Sequence, residues 1–203
     1  MRYPGVLSLG ERPEFQALGQ DAAFAEMRLK QAPLREVLEY PAAKAVFDNP
    51  ELLRTVWTTL QPDLKDLGSY LTNGVSTKYT DPLLGRWDFD VNATVLNYRR
   101  LKPNIRGGEA VKLRAWMTEK FPNGSLVAAP DHMVVLKNLP HMVMQPGQPL
   151  VAEARNLKGE WQADGAGYDF NLEGGAEKFT AKFEGSRLVI TGDATPVVFV
   201  KED

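Results

Sequence analysis

Cysteine is absent from this 203-residue chain, and histidine occurs only twice. Without cysteine the chain cannot form disulfides, use thiolate chemistry or bind zinc through sulfur. A metal site would need both histidines, His132 and His141, together with carboxylates such as Asp131, and no ligand-spacing motif supports one. We therefore predict no metal site, and we expect His132 to pack or hydrogen-bond beside a strand.

A strong charge of either sign and a long apolar run are also lacking. The net charge is −2, and the chain is 43% hydrophobic and 25% charged, which is ordinary for a globular protein. This balance gives no reason to expect a nucleic-acid partner. No apolar run approaches the roughly 18 residues of a membrane-spanning helix. The N-terminal residues show no long apolar segment of the kind that an intact signal peptide carries.

The recognisable motifs of enzymes are missing as well. The sequence contains no nucleophile elbow, no Walker loop and no dinucleotide fingerprint. Asp88 and Asp90 share one face of a predicted strand, roughly 7 Å apart, a spacing that paired-carboxylate chemistry can use. A solvated ladder beside Arg86, or a cap for a helix beginning at Asn92, explains them better. We predict no catalytic residue, no cofactor and no enzymatic activity.

Proline punctuates the first part of the chain, residues 1–72. The prolines that each open a short segment with apolar residues at helical spacing are Pro13, Pro33, Pro41, Pro50 and Pro62. The pattern predicts short helices, with Asn49 and Gln61 at cap positions. Helices this short are not stable alone, so we predict a short-helix bundle. Residues 73–83, which carry Asn-Gly and Asp-Pro turn signals, are predicted to form a linker.

The period of the apolar pattern changes to two in residues 84–203. In "GRWDFDV", Trp87, Phe89 and Val91 alternate with charged residues, which predicts a half-buried strand. Two helical segments follow, at about 92–121, and further alternating segments are separated by turns rich in Gly and Asp. Antiparallel strands with one dry face commonly close on themselves. We therefore predict an α+β fold: the helices, then an antiparallel β-barrel or curved sheet with a two-helix insertion.

The tripeptide Gly-x-Trp occurs twice, at Gly85–Trp87 and Gly159–Trp161, each time at the start of a predicted strand. Glycine lets another backbone approach closely, and the indole can plug the end of a barrel. The order Gly-x-Trp-x-Phe-Asp, helices, strands, a second Gly-x-Trp and a meander ending in "VVFVK" resembles bacterial lipocalin-like domains over residues 84–200. Lipocalins of the usual type have no helix pair after the first strand, and the chain departs from them there.

The predicted barrel interior has two interpretations. The aromatic residues that are enough to fill a small barrel are Trp87, Phe89, Trp161, Phe170, Phe179, Phe183 and Phe199. Core packing is therefore the interpretation we favour for both tryptophans. In the alternative, Trp87, Phe89, Trp161 and Tyr168 contact an apolar ligand in a true barrel cavity, and the protein carries small lipophilic molecules.

Basic residues are concentrated in the predicted helix pair. The basic patch consists of Arg99, Arg100, Lys102, Arg106 and Arg114, with Lys112 among them and Glu109 as the single acid. One interpretation is contact with anionic lipid headgroups near a membrane. The other is that these residues form the solvated outer faces of two amphipathic helices. Aromatic residues among them are too few for a platform that binds single-stranded nucleic acid.

The proline-opened segments "RPEFQAL", "EYPAAKAVF" and "DNPELL" resemble the client-binding modules of stress-inducible proteins, which hold an apolar groove for a partner helix. Together with "YLTNGVSTKYTDPLLGRWDFD" this region resembles the soluble C-terminal region of the colicin V production (CvpA-like) family of bacterial membrane proteins. That resemblance implies a membrane region missing before Met1, proximity to a membrane, and a location in the bacterial envelope on the periplasmic side of the inner membrane.

The sequence therefore leads us to expect a non-enzymatic binding or scaffolding module of a bacterial envelope protein. Through an apolar surface it would engage a peptide, a partner helix or a lipid-like ligand. The alternatives are the lipophilic carrier with a true barrel cavity and a plain spacer attached to a membrane channel.

Overall fold

A computed structural model describes residues 3–101, 103–143, 151–173, 178–192 and 196–202, without the side chains of 141–143 and 151–153. The chain divides into two compact units, Met1–Asp81 and Pro82–Asp203. The first unit is helical and the second contains a closed antiparallel barrel, so the predicted α+β class with a barrel is confirmed. Within the described ranges, every helix is too short or too polar to cross a bilayer.

The helical unit is a series of short helices. They are α1 Leu7–Gly10, α2 Pro13–Gln20, α3 Ala22–Leu29, α4 Leu34–Glu39, α5 Pro41–Phe47, α6 Pro50–Leu60 and α7 Leu64–Asn73, with 3-10 turns at Pro4–Val6 and Gln61–Asp63. Pro13, Pro41 and Pro50 begin helices, because a first-turn residue needs no N–H partner. The buried core of these helices contains Leu18, Ala43, Val46 and Leu52.

The predicted helix caps have different outcomes. Asn49 caps α6, since its side-chain oxygen accepts a hydrogen bond from the Leu52 N–H at 3.1 Å. The cap prediction for Gln61 is wrong, because the chain runs from α6 through Gln61 into a 3-10 turn and starts no new helix there. Asp21 is a cap that the proline pattern missed: its Oδ1 accepts from the Phe24 N–H at 2.8 Å and starts α3.

Residues 76–79, within the stretch predicted as a linker, are hydrogen-bonded to α7. The Asp66 carboxylate accepts hydrogen bonds from Ser76 Oγ at 2.6 Å, from the Thr77 N–H and hydroxyl at 2.8 Å each, and from Tyr3 Oη at 2.9 Å. The buried Asp63 accepts from the Lys78 ammonium and the Tyr79 hydroxyl. We call these residues the aspartate cluster, and it ties the segment after α7 back onto the helical unit.

The barrel unit is built from β1 Gly85–Phe89, β2 Ser125–Ala128, β3 Met133–Val143, β4 Val151–Asp164, β5 Gly167–Leu172, β6 Phe179–Glu184, β7 Arg187–Thr191 and β8 Val197–Lys201. Each described strand pairs antiparallel with the next, and β8 closes onto β1 with Phe199 opposite Phe89. Closure decides between the two sequence alternatives: the strands form a barrel and not an open curved sheet.

Two helices, α8 Val91–Leu101 and α9 Gly107–Lys120, lie between β1 and β2, as the predicted insertion requires. Val91 belongs to α8 and not to the strand that the alternation suggested. Asp90 caps this helix, since its Oδ1 accepts from the Ala93 N–H at 2.9 Å, and its other oxygen lies 3.6 Å from Arg187 Nε. Asp90 is thus outside β1, and the cap interpretation is the one that the structure supports.

The insertion is anchored to the outer surface of the barrel. Ala93 of α8 packs against Val189 of β7 and Val198 of β8. Next to it, the fully buried Thr94 hydroxyl accepts a hydrogen bond from the Val198 N–H at 2.9 Å. The hydroxyl therefore provides a hydrogen-bond partner for the buried Val198 N–H. Without this partner, the buried N–H would cost about 1–3 kcal/mol of stability.

The two Gly-x-Trp copies need glycine for different reasons. Gly85 has φ +143°, a backbone conformation that side chains disfavour. Gly159 lies in the middle of β4, not at the start of a strand, and a Cβ there would lie 2.0 Å from the Asn171 carbonyl oxygen on β5. The prediction that glycine lets another backbone approach closely is confirmed for Gly159. At Gly85, glycine is needed because of the φ angle of the backbone.

Candidate functional site

The inward row of the barrel can be traced through the strand register. Trp87 lies opposite Leu126, which lies opposite Leu136, and on the other side of β1 Phe89 lies opposite Phe199, which lies opposite Leu188. At one end of the barrel the rings form a chain with centroid distances of 5.8 Å for Trp161–Tyr168, 6.1 Å for Tyr168–Phe183 and 5.7 Å for Phe183–Trp87. Aromatic contacts at these distances stabilise a packed interior.

Both indole N–H groups at this end are satisfied by backbone carbonyls. Trp87 Nε1 donates to the Leu83 oxygen at 2.8 Å, and Trp161 Nε1 donates to the Ala129 oxygen at 2.9 Å. Leu83 precedes β1 and Ala129 follows β2, and Gly85 pairs with Ala128 between them. The two tryptophans therefore close the barrel at the end where β1 begins, as the sequence analysis predicted for a plugged barrel.

The inward side chains leave little room for a ligand. Leu126, Val134, Leu136, Ala181 and Leu188 are all 0% exposed, and Trp87 is 2% exposed. A cavity wide enough for water would leave exposed surface on the side chains around it. Along these residues the interior side chains are almost completely buried, as expected for an eight-stranded barrel whose interior is packed with side chains.

The four residues predicted to contact a ligand do not form one group. Trp87, Trp161 and Tyr168 are buried in the aromatic chain at the closed end. Phe89 is half-buried at the other end of β1, with its ring 5.9 Å from that of Phe199, and it packs against the cluster formed by the insertion helices.

His132 lies in the turn between β2 and β3, with φ +65°. Its ring centroid is 4.7 Å from that of Trp161, and its Nδ1 lies 3.1 Å from the Trp161 carbonyl oxygen. The expected packing and hydrogen bonding are therefore present. The His141 side chain lies outside the described part of the molecule. Among the residues that are described, no three histidine, aspartate or glutamate side chains are grouped closely enough to hold a metal ion.

The basic patch borders a groove between α8 and α9. The groove has a volume of about 390 Å³ and is lined by Asn92, Val95, Leu96 and Arg99 from α8 and by Gly107, Ala110, Val111 and Arg114 from α9. Both sets follow the same 0, 3, 4, 7 spacing, which places each set on one helix face. Arg100 and Arg106 are exposed nearby on the same insertion, and Lys102 lies outside the described residues.

In the helical unit, the apolar residues of α6 occupy one sector of the helix surface. Other residues of the unit bury only about half of this sector. At 100° per residue, its apolar residues Leu52, Val56, Leu60, Leu53 and Trp57 span about 140° of the helix surface. Leu52 is 1% exposed in the core, whereas Leu53 is 42% and Trp57 56% exposed. The helical spacing of apolar residues after Pro50 predicts an apolar face on this helix, but local spacing does not determine which part of the face stays uncovered.

The electrostatics of the helical unit are dominated by the aspartate cluster. The hydrogen bond from Ser76, assisted by those from Thr77 and Tyr3, holds the pKa of Asp66 well below its ordinary value, against the opposing effect of desolvation. Burial, together with the hydrogen bond to Asp66, raises the pKa of Tyr3. The cluster is thus stable as charged carboxylates with neutral tyrosines at neutral pH, which suits a structural tie.

These features define the class of protein: an α+β chain with a closed antiparallel barrel, a filled barrel end and two partly apolar helical surfaces. No family model and no curated protein matches the chain.

Proposed function

We propose that this chain is a non-enzymatic binding module whose helical unit binds an amphipathic partner helix on the exposed face of α6. The observation that carries the proposal is the uncovered half of the α6 apolar sector, formed by the exposed Leu53 and Trp57 with the half-buried Leu60 beside them. Large exposed apolar side chains that cluster on one helix face are typical of interaction surfaces. Residues at i, i+4 and i+7 match the anchor spacing of a helix that packs on another helix.

Trp57 is the centre of this proposed surface. An exposed tryptophan next to leucines is the residue type that most often dominates the binding energy of protein interfaces. Further exposed apolar residues of the same unit lie on α4 and α5: Leu34, Leu38 and Phe47. They supply additional apolar area for a partner helix.

The filled interior supports a surface site and gives the carrier alternative no observation in its favour. Phe199 and Ile190, which face the interior, are each 1% exposed. A lipophilic ligand of ordinary size needs a pocket of several hundred Å³, and the side chains that would line it are already packed against each other.

We further infer that the barrel unit is lipocalin-like and that the chain is a CvpA-like component of the bacterial envelope, facing the periplasm. Support for the first inference is the up-and-down order of the described strands, with β8 returning to β1 and Gly-x-Trp on β1. The second inference depends on the sequence resemblance alone.

The proposal is tested with a synthetic helical peptide that carries leucines at i, i+3, i+4 and i+7, titrated into the full chain by calorimetry. We expect micromolar binding that weakens by about 30-fold or more in Trp57→Ala, because interface tryptophans of this kind contribute about 2 kcal/mol or more. Thr58→Ala, an exposed change on the polar side of α6, is the matched control and should bind as the wild type does.

A scrambled peptide of the same composition, with its leucines distributed around the helix, should not bind. Equal affinity for both peptides, or equal weakening by Trp57→Ala and Thr58→Ala, would refute the proposal. Self-association that disappears in Trp57→Ala would instead show that a second copy of the chain occupies the face.

A further inference from the structure

A second surface, on the barrel unit, lies between the insertion helices and has a chemistry different from that of the α6 face. Its floor is formed by Val95 and Ala110, each 6% exposed, and its rims carry the protruding side chains of Leu96 and Val111, which are 52% and 68% exposed. On both helices an arginine follows three residues later, Arg99 on α8 and Arg114 on α9. Each protruding apolar residue therefore has a cation one turn away on the same helix face.

The charges of this surface are not neutralised from within. Arg99, Lys112 and Arg114 are exposed and form no ion pair with any residue in the described ranges. Glu109, the single acid within residues 99–114, accepts a hydrogen bond from the Arg106 backbone N–H through its Oε2 at 3.1 Å, at the start of α9. Exposed cations without internal partners produce a positive local potential on a chain whose net charge is −2.

We propose that the α8–α9 face docks on a bilayer that contains anionic phospholipid. The arginines would contact lipid phosphates, while Leu96 and Val111 would enter the boundary between headgroups and acyl chains. Apolar side chains together with basic ones on an amphipathic helical surface favour binding at the membrane interface. The charge complementarity selects anionic over neutral lipid, and about a fivefold gain in affinity is expected for each basic residue near the surface.

A bilayer fits this surface better than an acidic peptide does. The apolar side chains on the rims of the groove project outward at 52% and 68% exposure. Projecting side chains bury their area by inserting into a deformable phase such as the headgroup region of a bilayer. The scarcity of exposed aromatic residues on the two helices also disfavours single-stranded nucleic acid.

The inference is tested by flotation of the full chain with two kinds of vesicle, phosphatidylcholine alone and phosphatidylcholine with phosphatidylglycerol. We expect binding to the anionic vesicles only, decreasing as salt rises. The double variant Arg99→Ala, Arg114→Ala should bind about 25-fold more weakly. The matched control is Arg35→Ala, Arg54→Ala, which removes the same charge from exposed arginines of the helical unit and should leave vesicle binding unchanged.

Two further variants separate charge from insertion. Arg99→Lys, Arg114→Lys keeps the charge and should keep most of the binding, because headgroup attraction does not require the bidentate geometry of arginine. Leu96→Ser, Val111→Ser should lower the binding that persists at high salt, while Leu29→Ser, Leu71→Ser, at exposed positions of the helical unit, should not.

Three results would overturn the inference: equal binding to neutral and anionic vesicles, equal effects of the two double arginine variants, or saturable binding of a glutamate-rich peptide without binding to anionic vesicles. The last would assign the surface to an acidic protein partner. These readouts do not involve the α6 face, so this inference and the proposed partner helix can fail separately.

Discussion

At the scale of single residues, the second Gly-x-Trp motif shows a glycine that is required for space. A Cβ at Gly159 would overlap the Asn171 carbonyl oxygen at 2.0 Å and the Leu172 Cα at 2.7 Å. Both atoms belong to the backbone of β5, so they can move only if the pairing of β4 with β5 changes. We predict that Gly159→Ala destabilises the barrel unit by about 3 kcal/mol or more, the upper range for overpacking, measured by urea unfolding with tryptophan fluorescence.

Gly185→Ala is the matched control for this prediction. Gly185 lies in the β6–β7 turn with φ +64°, and a Cβ there would meet open space. Gly185→Ala should therefore lower the free energy of unfolding by only about 1–2 kcal/mol, because alanine disfavours the left-handed conformation. Equal losses of stability in the two variants would show that the close approach of β5 contributes nothing.

At the scale of secondary-structure elements, the aspartate cluster joins residues 76–79 to α7. Its hydrogen bonds favour the charged form of Asp66, so the pKa of this group is lower in the folded than in the unfolded state. The stabilisation is complete above the unfolded pKa of about 3.9 and is lost as the pH falls towards the folded value. We predict that the helical unit loses stability below about pH 4, as measured by circular dichroism at 222 nm.

Asp66→Asn should lower stability at pH 7 and flatten this acid-induced loss, because the titrating group is gone. The loss is not expected to vanish, since the pKa of Asp21 is also lowered, by the hydrogen bond from the Phe24 N–H and then by that from Tyr40. Asp48→Asn, an exposed carboxylate in the same unit, is the control and should leave the acid-induced loss as it is. If Asp66→Asn unfolds with the wild-type pH dependence, the cluster is not the origin of the acid sensitivity.

At the scale of the whole molecule, ligand access to the barrel interior would separate the proposed binding module from a carrier. In a variant with Trp57→Phe and Trp116→Phe, the remaining indoles are Trp87 and Trp161, both buried at the closed barrel end. We predict that a brominated fatty acid causes no saturable quenching of their fluorescence, because these rings are buried and pack against other aromatic side chains. Quenching that saturates at one fatty acid per chain would establish the cavity of the carrier alternative.

The pattern of the sequence determined the parts of the molecule that depend on neighbouring residues. The prolines and the 3.6-residue period located most helices of the first unit, and the period of two located the strands, because helix geometry and strand pleating impose these spacings locally. The helix α3 was missed as a separate segment, although its cap Asp21 was readable. The Gly-x-Trp copies located the two tryptophans at the closed end of the barrel.

Only the tertiary structure decided the features that join distant parts of the chain. Barrel closure depends on β1 pairing with β8, more than 100 residues away, and the aspartate cluster depends on Tyr3 reaching Asp66. Likewise, the spacing of apolar residues shows which of them share one sector of α6. Only the packing of the folded unit determines that Leu52 is covered while Trp57 is exposed. Local spacing records which side chains share a face, but the neighbours that cover this face come from the folding of the rest of the chain.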